Sequence, residues 1–174
     1  MKSRWLGLLF VTAIACHAQQ GQPEPSGASL NHTRQWMRET FPESQTLTAQ
    51  RAGDKRELTF SGCTATIRQD WTTDSASVRR ETIIDLSLID PRSIQSYAGD
   101  LGSEKKIGIL MLTATNDKKV ITATAENTVT KAPIGKPFSS EHLWLYFIAP
   151  DLAERFAKAF RHAVELCSGK PSAF

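Results

Sequence analysis

Apolar residues recur at three- and four-residue spacing near the C-terminal end of the chain: Leu152, Phe156, Phe160, Ala163 or Val164, and Cys167. That spacing puts them on one face of a helix, and Arg155, Lys158, Arg161 and Glu165 fall on the wet side. Pro150 suits the first turn, Asp151 brings negative charge to the positive end of the helix dipole, and Gly169 fits the C-terminal cap. A shorter helix is predicted from Ser29, a favourable N-cap residue. Leu30, Thr33, Trp36, Met37 and Phe41 line its apolar face. It is expected to end at Phe41-Pro42, because a residue before proline is pushed out of the helical region.

Between these helices the pattern turns to Thr, Ile, Val and Leu interrupted by turn residues, the mark of strands. Seven are predicted, over 46–50, 55–61, 63–69, 81–88, 107–113, 119–124 and 143–149, with the fifth and sixth forming a hairpin across Asn116-Asp117. Leu58 and Phe60 have one parity, whereas Cys63, Ala65 and Ile67 have the other. A bulge or bend at Ser61-Gly62 would return both sets to a common face. The last strand, LWLYFIA, is apolar on both faces. One face can meet a core, and the other needs a helix or a partner to cover it. The expected fold class is α+β: a mostly antiparallel, bent seven-stranded sheet or partly open barrel with a short N-terminal helix and a long C-terminal amphipathic one.

The chain's 174 residues favour one domain with a real core. Residues 1–18 read as a signal peptide: Lys2 and Arg4 precede the uncharged run WLGLLFVTAIA, which is too short to span a bilayer. Cleavage after Ala18 or Ala15 is one reading. The other takes Ala13-Ile14-Ala15-Cys16 as a lipobox, leaving a lipidated Cys16 as an envelope anchor. Residues 19–28 form a flexible linker, 29–169 the single domain and 170–174 a disordered tail. The expected location is therefore periplasmic or secreted, or envelope-anchored through Cys16. Lys2 and Arg4 account for two of the 21 basic residues, so the mature chain has 19 against 18 acidic ones. A net charge that small leaves no electrostatic footprint for nucleic acid.

Export changes how the cysteines read. Cys63 and Cys167 are an even pair in an oxidising compartment, where a disulfide is the expected state. Two buried free thiols, or zinc ligands together with His162, are the competing readings. The other chemistry is sparse. His32, His142 and His162 are scattered, and there is no HExxH, GxSxG, Walker loop or dinucleotide fingerprint. Glu141-His142 is a nominal acid–base pair, but neighbours on a strand point apart. Gly99-Asp100-Leu101-Gly102 reads as a loop. Trp36, Trp71 and Trp144 read as core or interface aromatics. No cofactor or metal is expected.

Seven antiparallel strands closed by one C-terminal helix resemble the pleckstrin-homology-like (PH-like) barrel over about residues 45–168. The stretches LTFSGCTATI (58–67) and RFAKAFRHAVELCSG (155–169) look like a family of uncharacterised exported bacterial proteins with a Gly-Cys strand and a last helix ending in Leu-Cys-Gly. Here Ser168 separates the last two. The resemblance implies no established activity, and the fold serves many binding roles. In PH domains that bind lipid, the loop after the first strand carries basic residues. Arg51, Lys55 and Arg56 occupy that place as a candidate anion-binding loop, with Asp54 and Glu57 interleaved. The expected function is a non-enzymatic exported domain that binds a protein or envelope component. The alternative is a carrier of a small apolar ligand or lipid in a cavity under the C-terminal helix. A contiguous exposed apolar patch favours the first and an apolar cavity the second.

Overall fold

The structure is a computed structural model that describes residues 29–45, 55–101, 105–115 and 118–169. The expected signal peptide, linker, first strand at 46–50, C-terminal tail and the Asn116-Asp117 turn lie outside the described residues. Within them the chain is α+β, with two helices and eight antiparallel strands in two sheets that do not close into a barrel. A single bent seven-stranded sheet is therefore not what forms.

The first helix, α1 (Leu30–Ser44), starts where Ser29 accepts a hydrogen bond from the His32 amide at 3.3 Å. It continues past the expected stop at Phe41. Pro42 sits in the last turn, where the helix gives up the proline's amide bond and the Ser44 hydroxyl donates to the Phe41 carbonyl at 2.9 Å. Three antiparallel strands follow: β1 (Lys55–Ser61), β2 (Thr64–Thr72) and β3 (Ser77–Asp85). Short 3-10 turns at Leu86–Leu88 and Pro91–Ser93 lead to β4 (Gln95–Leu101), which pairs with β5 (Lys105–Thr113). The chain then returns to the first sheet as β6 (Ile121–Asn127) and β7 (Phe138–Ser140), and goes back to the second as β8 (His142–Phe147). The strand orders are β1-β2-β3-β6-β7 and β4-β5-β8.

Three expectations change. The fifth and sixth predicted strands form no hairpin, because β5 pairs with β4 and β8 while β6 pairs with β3 and β7. The fourth predicted strand, 81–88, starts earlier at Ser77, and its last three residues coil into the first 3-10 turn. Gly99 to Leu101 belong to β4 rather than to a loop.

The parity change at Ser61-Gly62 also has a different cause from a bulge. Ser61 pairs with Thr64 across a two-residue loop, Gly62-Cys63, with Gly62 at φ +54°. A two-residue hairpin needs positive φ at its first loop position, which glycine adopts without steric cost. Chain reversal then makes Leu58 oppose Ile67 and Phe60 oppose Ala65, so both sets share one face.

The last helix, α2 (Pro150–Ser168), follows its periodicity. Pro150 opens it and Gly169, at φ +64°, caps it. Ala153, Phe156, Ala157, Ala159, Phe160, Ala163 and Val164 are buried. This face packs on β4 and β5, against α1, and over the end of β8. Phe156 is the meeting point, with its ring centroid 4.7 Å from that of Phe147 and 4.9 Å from that of Trp36. The inner residues of the five-stranded sheet, among them Leu58, Ile67, Ile84 and Ile121, complete the same core.

Close approach of α2 to β5 depends on Gly108. A Cβ there would lie 2.5 Å from the Ala149 carbonyl oxygen and 2.5 Å from the Ala153 Cβ. Gly108→Ala should force helix and strand apart and cost about 1–3 kcal/mol. A shifted midpoint in urea unfolding checks this, and an unchanged midpoint would contradict the packing described.

Candidate functional site

The cysteine pair is joined. Cys63 and Cys167 have Cα atoms 5.6 Å apart, within the range a disulfide requires. Cys63 is the second residue of the hairpin loop rather than the first residue of a strand, and Cys167 lies in the last turn of α2. The loop is gripped from two further sides. The Leu86 amide donates to the Cys63 carbonyl at 2.8 Å, and Arg34 of α1 donates through Nη2 to the Gly62 carbonyl. The same Nη2 is 3.9 Å from the Cys167 sulfur, and the guanidinium lies over the Phe60 ring. Burial lowers the Arg34 pKa, and its Nε is buried with no hydrogen-bond partner among the described residues.

Of the basic residues expected after α1, only Lys55 and Arg56 lie among the described residues. Arg51 lies outside the described residues, and Lys55 is exposed at the start of β1. Arg56 is buried at 8% exposure, and its Nη1 donates to the Gln45 carbonyl at 2.7 Å. It ties β1 to the end of α1 instead of facing solvent. On the outer face of β1-β2-β3-β6, charges alternate across the strands: Lys55, Asp70, Arg79 and Glu126 form one row, and Glu57, Arg68 and Glu81 the next. Arg79 holds Asp70 through Nε at 2.9 Å and Nη2 at 2.7 Å. This hydrogen bond holds the Asp70 carboxyl below its ordinary pKa and raises that of Arg79.

The most distinctive surface lies on the sheet β4-β5-β8. α2 covers the face carrying Leu110, Leu145 and Phe147. Alternation sends the intervening residues to the opposite face. Register aligns Tyr97, Ile109 and Tyr146 in one row and Gln95, Met111 and Trp144 in the next. Tyr97, Trp144 and Tyr146 remain 39%, 45% and 42% exposed, and Ile148 extends the patch along the chain. The Tyr97 and Trp144 rings meet edge to face at 6.1 Å, which fixes their orientation. Partial burial raises the Tyr97 pKa, with a smaller contribution from Tyr146. The result is an aromatic platform with hydroxyl and indole groups at its surface.

At one end of this platform the Glu141-His142 pair meets after all. His142 Nε2 lies 3.2 Å from Glu141 Oε1, and its Nδ1 lies 3.1 Å from the Thr113 hydroxyl. Both ionisable side chains are solvent-accessible, and the contacts steady the rim. In the sequence, the two apolar faces of LWLYFIA single out β8 as a strand with one face left to cover. Nothing comparable marks Tyr97, because its strand reads as a loop. No family model matches the chain, and no curated protein or solved structure matches it either.

Two outcomes follow from this geometry. The bond spans a sequence separation of 104 residues, and a loop of that size stabilises by up to about 4–5 kcal/mol. Cys63→Ser and Cys167→Ser should lose similar amounts and the double variant little more, as read by thermal and denaturant unfolding. Additive losses would show two independent roles. For Asp70, the lowered folded pKa means its contribution is complete above the ordinary carboxyl range and is lost as pH falls through the folded value. Asp70→Asn should therefore flatten the acid limb of the stability–pH curve, and an unaltered limb would count against the Arg79 pairing.

Proposed function

We propose that the chain is an exported, non-enzymatic binding domain whose partner docks on the outer face of β4-β5-β8. The observation that carries this reading is the exposed cluster of Tyr97, Trp144 and Tyr146 on a strand layer backed by α2. Tyr and Trp dominate the energetics of protein interfaces because they bury large area with few rotatable bonds and keep a polar tip for hydrogen bonding. Contiguous exposed apolar surface on a small domain marks a contact site. The rigid helix behind the layer means that binding orders little new backbone. A protein or envelope component is the partner class.

Export rests on the charged start and short apolar run of residues 1–18, with 19–28 as tether and a periplasmic or secreted location. A lipidated Cys16 would hold the same domain at the envelope. Kinship with the uncharacterised exported family rests on LTFSGCTATI and RFAKAFRHAVELCSG, whose cysteines form the hairpin-to-helix bond. The architectural resemblance to the PH-like barrel rests on the C-terminal helix packed against antiparallel sheets. The return of β6 to the first sheet is a departure from successive meanders. No helix among the described residues is long and apolar enough to cross a membrane.

The test is photo-crosslinking from positions 97, 144 and 146 in envelope extracts, followed by affinity measurement with the captured partner. Tyr97→Ala, Trp144→Ala and Tyr146→Ala should each weaken binding, the strongest by about 2 kcal/mol or roughly 30-fold. Thermal stability should fall only modestly, by about 0.5–1.5 kcal/mol where the Tyr97–Trp144 ring contact is lost. A partner whose affinity is indifferent to all three substitutions would refute the assignment of this face.

A further inference from the structure

The outer face of the five-stranded sheet carries a second feature, separate from the aromatic platform. After β6 the chain folds back on itself: Glu126 bridges to Pro133, the Ile134 amide donates to the Ala125 carbonyl at 2.8 Å, and the Asn127 amide donates to the Ala132 carbonyl at 2.8 Å. The Asn127 side-chain oxygen accepts from the amides of Val129 and Thr130 at 2.9 and 3.0 Å. These bonds hold Lys131 at φ +60°, a left-handed conformation that a lysine adopts only at a cost. The strained residue raises a wall beside the charged rows. Between wall and sheet lies a depression of about 340 Å³ lined by Arg68, Arg79, Glu81, Glu126, Lys131 and Pro133, among others.

The charges around it fall into two groups. Arg79 is held by both oxygens of Asp70, and Arg68 reaches Glu81 at 3.1 Å and Glu57 at 3.5 Å. The Arg79–Asp70 fork is the fixed part of the frame, and Arg68 is shared between Glu57 and Glu81. Lys131 Nζ stands 3.8 Å from Glu126 Oε1, beyond hydrogen-bond range, and both side chains are solvent-accessible. This ammonium and carboxylate can exchange each other for a ligand at little loss, since an exposed pair contributes little. A simple anion entering here meets Glu81 and Glu126. A simple cation meets Arg68, Arg79 and Lys131. A molecule with one charge of each sign meets its opposite at both ends.

We infer that this depression binds a small zwitterion of the α-amino-acid type, with its carboxylate toward Lys131 and its ammonium toward Glu126. The volume lies at the small end of ligand sites. The open, hydrated setting makes the complex weak, with a dissociation constant on the order of 1 mM.

The test is an amide NMR titration of the intact mature protein with glycine, sodium acetate and methylammonium chloride in parallel. Glycine should produce saturable shifts confined to the neighbourhood of Glu126, Lys131 and Arg79, while acetate and methylammonium should not saturate. Glu126→Gln and Lys131→Met should each weaken glycine binding at least tenfold, and Lys131→Arg should retain it. Lys131 is exposed and Glu126 is half-buried at the surface, and an unchanged amide spectrum elsewhere would verify that the variants fold. Three outcomes would overturn the inference: no saturable shift up to roughly 50 mM glycine, equal saturation by acetate alone, or glycine binding that survives both charge-removing variants.

Discussion

A two-residue turn at Gly62-Cys63 is where the five-stranded sheet is tied to both helices. Its two carbonyls accept from Arg34 of α1 and from the Leu86 amide, and its sulfur is bonded to the last turn of α2. Only glycine takes the positive φ of the first position without strain, and only a cysteine at the second can reach Cys167. The bond closes most of the domain into one loop, so it acts chiefly by restricting the unfolded chain. Arg34 completes the junction with a partly buried guanidinium that also lies over the Phe60 ring. Without the clamp, the last turn of α2 would lose its covalent tie to the β1–β2 hairpin.

Fixing α2 has a consequence for the opposite side of the small sheet. The helix needs one face of β8, which takes Leu145 and Phe147 inward against Phe156 and the core. Strand geometry then obliges Trp144, Tyr146 and Ile148 to point away. Three strands are too few to bury such a face by curling on themselves, so it stays accessible. Gly108 serves the same division, because it admits the start of α2 close to the strand backbone, while alternation places Ile109 and Met111 on the two outer rows. The aromatic platform is thus the reverse side of the packing that makes the domain stable.

Much of this is legible in the sequence where one physical rule decides the outcome. The limits of α2 follow from an apolar stripe bounded by proline and glycine, β1 from alternation, and the disulfide from an even cysteine pair behind an expected export signal. The apolar doublets of LWLYFIA already require two covers. Sequence reasoning fails where local pattern and tertiary need differ. Asn116-Asp117 has turn chemistry, yet β5 is apolar on both faces and belongs between β4 and β8, whereas the alternating β6 belongs beside β3. β4 is hidden because QSYAGDL has little apolar content. Its Gly99 is accommodated under the Ile109 side chain, a contact with no sequence signature. Arg56 looks like a loop cation and is buried, since its partner is a backbone carbonyl that no motif records.

The clamp is tested most directly by amide hydrogen exchange on the oxidised and the gently reduced protein under otherwise native conditions. If the Gly62-Cys63 junction holds α2 in place, reduction should deprotect the last turns of α2 and the β1–β2 hairpin together. The ladder between β5 and β8 should keep its protection. Protection that is unchanged in both elements, or that is lost uniformly across both sheets at once, would contradict a local clamp between hairpin and helix.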